Sequence, residues 1–301
     1  MYSATDARAA LKPSASKPAA PTGFGRSTYA KFYETAPQET GPGHRSWLAR
    51  GETFLTRYSD TEAGATLVRT AQPDEYAVLI PDPATRVEIV WEGTRIPISG
   101  YSVTFVPAGS SSIEVRTGGP VAQFFSTRSA DLLALCSNSV NYYPDPNVPP
   151  IVDWPEAIDG PKVRSYSLDV APEQGRFGRI FRGTTLMVNY LDPRDGPRDS
   201  KALSPHDHDD FQQGSLALSG EYRHHLRWPW TADGTLWRDD EHEDCGSPSI
   251  CFIPARVLHT SQAMGAGRNQ LVDVFCPPRA DFAQKPGWVL NAKDYPAPPG
   301  A

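Results

Sequence analysis

Short apolar runs separated by turn residues pattern the chain from Trp47 onward. Thr53-Phe-Leu-Thr-Arg-Tyr, Thr66-Leu-Val-Arg, Tyr76-Ala-Val-Leu-Ile, Val87-Glu-Ile-Val-Trp and Tyr101-Ser-Val-Thr-Phe-Val are rich in β-branched and aromatic side chains. They recur at intervals of roughly 8–12 residues, the spacing of strands in an all-β sandwich or barrel. Residues 137–163 break the pattern. Their prolines cannot donate to a sheet ladder, so the stretch reads as a connector. Strand-like runs resume at Val163-Arg-Ser-Tyr-Ser-Leu-Asp, Thr185-Leu-Met-Val-Asn-Tyr-Leu, Ser215-Leu-Ala-Leu and Gln270-Leu-Val-Asp-Val-Phe. Residues 1–46 carry few apolar positions in any periodic order, which predicts a largely irregular arm. The expected organisation is the arm over 1–46, a β unit over 47–136, the connector over 137–163, a second β unit over 164–290 and a tail over 291–301.

The two units look like one motif used twice. Pro107-Ala-Gly-Ser-Ser-Ser is followed by Val121-Ala-Gln-Phe-Phe-Ser-Thr-Arg-Ser-Ala-Asp-Leu. In the second unit Pro254-Ala-Arg-Val-Leu-His is followed by Val272-Asp-Val-Phe-Cys-Pro-Pro-Arg-Ala-Asp-Phe. The order of features agrees, which argues for internal duplication.

Composition narrows the classes. The 24 glycines and 30 prolines among 301 residues suit many short elements joined by turns and disfavour a helical bundle. A net charge of −6 with no basic run excludes a nucleic-acid role resting on phosphate neutralisation. No apolar stretch approaches the ~18 residues of a membrane span. The N-terminus lacks the basic and apolar regions of a secretory signal. A soluble, cytoplasmic protein is expected, and four cysteines in a chain this long do not form a disulfide framework. Cys245, Cys251 and Cys276 read as buried small hydrophobes.

Six of the seven histidines fall between His206 and His259. His206 and His208 stand at i and i+2, on one face of an extended segment, and His259 follows a separate Pro-Ala-Arg turn. Imidazoles converging from two strands suit a divalent first-row metal. Asp207, Asp209 and Asp210 read as solvated charges that raise cation affinity by proximity, and His242 as a surface loop residue. The Trp228-Pro-Trp230 to Trp237 stretch reads as a packed cap over one barrel end, with a substrate-covering flap as the alternative.

The run from His206 to Gly220 resembles the first motif of the cupin superfamily: His, one residue, His, four residues, a carboxylate, six residues, Gly. Gln213 stands at the carboxylate position. Pro254-Ala-Arg256-Val-Leu-His259 resembles the second motif, with Arg256 at its Gly position and Ala263 where it ends in Asn. The same template laid on the first unit puts Leu79 and Pro81 at the two His positions, Arg86 at the carboxylate and Ser112 at the second-motif His. That unit resembles a cupin barrel that has lost its metal.

The resemblance implies an all-β bicupin of two tandem jelly-roll barrels, the first degenerate and the second metal-binding. It implies one divalent metal per chain on His206, His208, Gln213 and His259, with Fe(II) favoured and Zn, Mn or Ni as alternatives. His224 and His225, just past Gly220, and the adjacent Arg223 are the candidate catalytic residues. Alternation dictates that one of the two histidines points outward. Four neutral ligands leave the metal's full +2 uncompensated, which favours a small anionic chelating substrate such as an enolate, hydroxy acid or β-dicarbonyl. By resemblance a non-heme Fe(II) dioxygenase leads. A non-redox isomerase, lyase or hydrolase on a sugar acid and a non-catalytic metabolite-binding bicupin remain open. A homodimer is expected on the same ground, with neither nucleic acid nor membrane as partner.

Overall fold

The computed structural model describes residues 7–10 and 20–298. In the first half the strands are β1 Thr28–Lys31, β2 Glu39–Gly41, β3 His44–Arg50, β4 Phe54–Thr61, β5 Thr66–Gln72, β6 Tyr76–Ile80, β7 Arg86–Trp91, β8 Thr94–Ser99, β9 Ser102–Val106, β10 Gly109–Thr117 and β11 Gly119–Ser126. Helix α1, Ala130–Leu135, follows. In the second half they are β12 Arg164–Ser167, β13 Arg179–Arg182, β14 Met187–Tyr190, β15 Arg194–Asp195, β16 Gln212–Ser219, β17 Tyr222–Arg227, β18 Glu241–Cys245, β19 Ser249–Ile253, β20 Leu258–Ala263 and β21 Arg268–Cys276. A short helix, α2, spans Ala280–Ala283.

All the strand pairings run antiparallel, and the two halves repeat one plan. In the first barrel a sheet ordered β12-β9-β6-β11-β4-β3-β2 faces a sheet ordered β5-β10-β7-β8. In the second, β1-β19-β16-β21-β14-β13 faces β18-β17-β20. Thus β6 lies between β9 and β11 as β16 lies between β19 and β21.

The sheets also trade strands. β1 precedes the first barrel yet pairs with β19 of the second, from Thr28 against Phe252 to Lys31 against Ser249. β12 precedes the second barrel yet pairs with β9 of the first, from Arg164 against Phe105 to Ser167 against Ser102. The arm expected to be largely irregular therefore supplies β1 and β2, and the segment 164–167 joins the first barrel's sheet.

Strand alternation explains the cores. One face of each long sheet lines its own barrel, and the other meets the neighbouring barrel. Phe54, Leu79, Phe105 and Phe124 from the first half pack with Val188 and Phe252 from the second in one buried cluster. β6, β9 and β19 are consequently buried along their whole length, because both faces are covered. Gly214 sits on this contact. A Cβ there would lie 2.7 Å from the Phe54 ring, so glycine lets β16 approach the first barrel.

Candidate metal centre

The His206 segment crosses to β20 by a reciprocal backbone pair. His206 N–H donates to the His259 carbonyl at 3.0 Å, and His259 N–H donates back at 2.8 Å. That bridge holds two of the three imidazoles side by side, with ring centroids 4.4 Å apart. The His208 ring centroid is 4.7 Å from that of His259. One ligand atom from each of the three lies within 4.8 Å of the others, and all three residues are buried.

The tautomers are fixed from behind. Nδ1 of His206 donates to the Ser204 carbonyl at 3.0 Å, and Nδ1 of His259 donates to the Val257 carbonyl at 2.8 Å. A carbonyl only accepts, so in both rings Nε2 keeps its lone pair. Nε2 of His259 is buried with no hydrogen-bond partner, the condition of a ligand awaiting a cation. Burial, then neighbouring His259, pushes His206 and His208 well below the usual imidazole range. Burial lowers His259 to about 4. All three are neutral near pH 7, as metal ligation requires.

Gln213, on β16, joins them. Nε2 of His208 donates to its Oε1 at 3.0 Å. Its Nε2 donates to Ser215 Oγ at 2.9 Å and to Asp273 Oδ1 at 3.0 Å, and Ser215 Oγ also donates to Asp273. The carboxylate can only accept, so it turns the amide nitrogen toward itself and the amide oxygen toward the histidines. Burial pushes Asp273 up to about 6. A glutamate at 213 would face this carboxylate inside the barrel, which is a physical reason for an amide there. The three histidines fit a single divalent cation, with the Gln213 amide beside them.

Arg256, at the second motif's glycine position, has φ of +62°. The left-handed turn that glycine adopts freely is kept, now by an arginine whose N–H donates to the His208 carbonyl.

The candidate catalytic residues separate by strand parity. On β17, Leu226 is opposite His259, so His224 and Tyr222 share the inward face. His224 is fully buried, with Nδ1 2.8 Å from Ser261 Oγ and Nε2 unpartnered, and burial lowers it to about 3. The reading of His225 and Arg223 as catalytic is corrected, because alternation turns both away from the histidine cluster. His225 meets His242 across the outer surface at 2.7 Å, and Arg223 pairs with Asp244 at 2.7 Å. Trp228 is buried and donates to the Gly25 carbonyl, as a cap residue would. Trp230 and Trp237 stack on each other, largely exposed.

Three nearby residues escaped the sequence reading. Asp273 sits in the apolar run Gln270-Leu-Val-Asp-Val-Phe, where a lone acid signals a buried partner. Arg279 is buried, with its guanidinium carbon 3.6 Å from the Phe282 ring centroid and an ion pair to Asp281. Arg8 reaches His206 from the N-terminal turn.

The assignment of first-barrel positions is also corrected. Gly93 closes the β7–β8 turn, whereas Gly220 closes β16–β17, so counting back from Gly93 slips by one hairpin. Leu79 faces the other barrel. Tyr76 takes the place on β6 that Gln213 takes on β16, each across from a phenylalanine, Phe125 or Phe275. Its hydroxyl is 2.9 Å from Ser111 Oγ on β10, the counterpart of β20. Arg69 on β5 is held there by Gln72 and Asp131. A fixed guanidinium and two hydroxyls stand where the second barrel has imidazoles and an amide.

No family model matches the chain, and no curated protein matches its sequence. Solved structures do match its fold. AerE from Microcystis aeruginosa aligns at 8% identity over 85% of this chain and 99% of that one, with a TM-score of 0.55. A single-residue variant of the oxalate decarboxylase of Bacillus subtilis aligns at 15% identity over 82% and 76%, with a TM-score of 0.56. The formate complex of Lactobacillus farciminis oxalate decarboxylase aligns at 12% identity over 83% and 86%, with a TM-score of 0.57. The fold is the cupin fold, which this chain uses twice, with a histidine triad suited to a metal in the second barrel. Among the described residues no helix is long and apolar enough to cross a membrane.

Proposed function

We propose that the chain is a metal-dependent cupin enzyme acting on a small anionic chelating substrate by proton-transfer or lyase chemistry. The fixed Gln213 amide carries this reading. His206, His208, His259 and Gln213 would hold one divalent ion, which when bound supplies Lewis-acid polarisation of a substrate oxygen. Four neutral donors leave that ion's charge for the substrate anion.

Four protein donors on a six-coordinate ion leave two sites, and a bidentate substrate fills both. The sequence expectation of an Fe(II) dioxygenase needs a further site for O₂, hence departure of Gln213. Asp273 and Ser215 hold that amide from behind, which favours chemistry needing substrate alone. The structural neighbours named oxalate decarboxylase support a carboxylate-bearing substrate.

The test is turnover of small carboxylates, hydroxy acids and β-diketones by protein loaded with Mn, Zn or Fe, with and without oxygen. Anaerobic turnover supported by Mn or Zn is expected. Consumption of one O₂ per product would establish the dioxygenase instead, and binding without turnover under every condition would leave a metabolite-binding bicupin.

A further inference from the structure

Two of the six clustered histidines stand together on the far side of the β18-β17-β20 sheet from the triad. β17 and β18 pair so that His225 is directly opposite His242. Alternation turns both rings to the outer face, away from His224. Their Nδ1 atoms are 2.7 Å apart, with ring centroids at 4.9 Å.

Gln262 on β20 decides which nitrogen of His225 carries the proton. Its Nε2 donates to the Arg198 carbonyl at 3.1 Å, which turns its Oε1 toward His225. An amide oxygen only accepts, so His225 donates to it from Nε2, at 3.3 Å. Nδ1 of His225 therefore keeps its lone pair, aimed at His242. Burial lowers His225 below the usual imidazole range, so it is neutral near pH 7.

Without an ion, the Nδ1–H of His242 donates to that lone pair. The His242 ring is exposed, so its proton can pass to Nε2, where water accepts it. The exchange costs one hydrogen bond between neutral groups, and both Nδ1 lone pairs then face one point. Two nitrogens each about 2.0–2.1 Å from one ion lie roughly 2.9–3.3 Å apart, so a small turn of the exposed ring admits it. The surroundings favour a cation. Asp239, Asp240, Glu241, Glu243 and Asp244 crowd this segment, and the bases paired with them are Lys31, Arg223 and Arg227.

We propose that His225 and His242 form a second metal site, on the outer face of β17 and β18, for a late first-row divalent ion whose remaining positions are filled by water. Two imidazoles favour Cu(II) over Ni(II) and Zn(II). The site is open to solvent, whereas the triad is enclosed. It stands independently of whether the triad holds a metal.

The test titrates Cu(II) into the metal-free full chain as wild type, His242→Gln and Gln262→Leu. Dialysis counts the bound ions, and electron paramagnetic resonance counts the nitrogens on each. Wild type is expected to bind one ion more than His242→Gln, and that extra ion to carry two imidazole nitrogens. Removing one of two donors should weaken this event by about 100-fold. Gln262→Leu, which unfastens the His225 ring from behind, should weaken it by about tenfold.

A single ion in wild type that His242→Gln loses upholds this site and removes the triad as a metal centre. Equal counts in wild type and His242→Gln overturn the proposal, as does a spectrum with one nitrogen on the extra ion. Binding by Gln262→Leu within twofold of wild type overturns the proton placement from which the site is argued.

Discussion

The two barrels share strand order, pairing and an inter-barrel core, yet differ in the few side chains that point inward near one end. In the second barrel those are His206, His208, Gln213 and His259, backed by Asp273. In the first they are Arg69, Tyr76 and Ser111, backed by Gln72 and Asp131. The second set offers lone pairs toward a common point. The first offers a fixed cation already bound by its own carboxylate. The scaffold is held by alternating apolar faces, so it tolerates either interior. The barrel thus acquires its chemistry from about four positions, and the rest of the inward face only needs to pack.

The comparison breaks most directly at the ligands. His259→Ala or His206→Ala is expected to lower metal affinity by at least 100-fold, since each removes one of the three clustered imidazoles, whereas Arg69→Leu should leave metal binding unchanged. Elemental analysis of the three variants checks this, and loss of metal in Arg69→Leu would mean that the first barrel takes part.

Gln213→Glu tests the pairing behind the ligands. At pH 7 it places two carboxylates in one buried site, forcing a proton onto one of them at a cost on the order of 3 kcal/mol. A lower melting temperature in the metal-free protein is expected, recovered when Asp273→Asn is added. An unchanged melting point in the single variant would show that the two groups do not face each other in solution.

Acid should distinguish the barrels as well. His206, His208, His224 and His259 are held neutral by burial, so at these four positions the unfolded chain binds more protons than the native one once pH falls below about 6.5. Each such imidazole takes roughly 2 kcal/mol from the metal-free protein by pH 5, while Asp273, Asp74, Glu75 and Asp210, whose carboxyls burial raises, take up protons in the native state and offset part of that loss. Denaturant melts across this range check the sign. In His224→Gln the slope should shrink by one proton's worth, and an unaltered slope would show that His224 is protonated in the native state.

The smallest effect is at Arg256. Its left-handed backbone costs a non-glycine residue roughly 1 kcal/mol, so Arg256→Gly should raise stability by less than that amount, the loss of its hydrogen bond to the Asp209 carbonyl offsetting part of the gain. A destabilised variant would show that the side-chain contacts outweigh the strain.

Fold class and the three-histidine cluster were legible because both rest on local spacing: strands by period, the histidines by two short motifs. What depends on long-range pairing was not. Two histidines at 224 and 225 must face opposite ways, but which one faces inward is decided by Leu226 standing opposite His259, a contact far apart in sequence. Arg8 lies in an arm with no periodic signal, and only the folded chain brings it 198 residues along to His206. The slip in the first barrel had a similar origin, since Gly93 and Gly220 close different hairpins and look alike as residues.

The traded strands carry a consequence for how the molecule is made. The first barrel's long sheet is not finished until Ser167 has been synthesised, and β1 waits for β19, more than two hundred residues later, to find its place. Until then the β9 edge stands open, a template for any passing chain. A gene cut between the barrels would leave each fragment carrying a strand that belongs to the other. Such halves should aggregate when expressed alone and recover order when co-expressed, as two incomplete sheets closing each other.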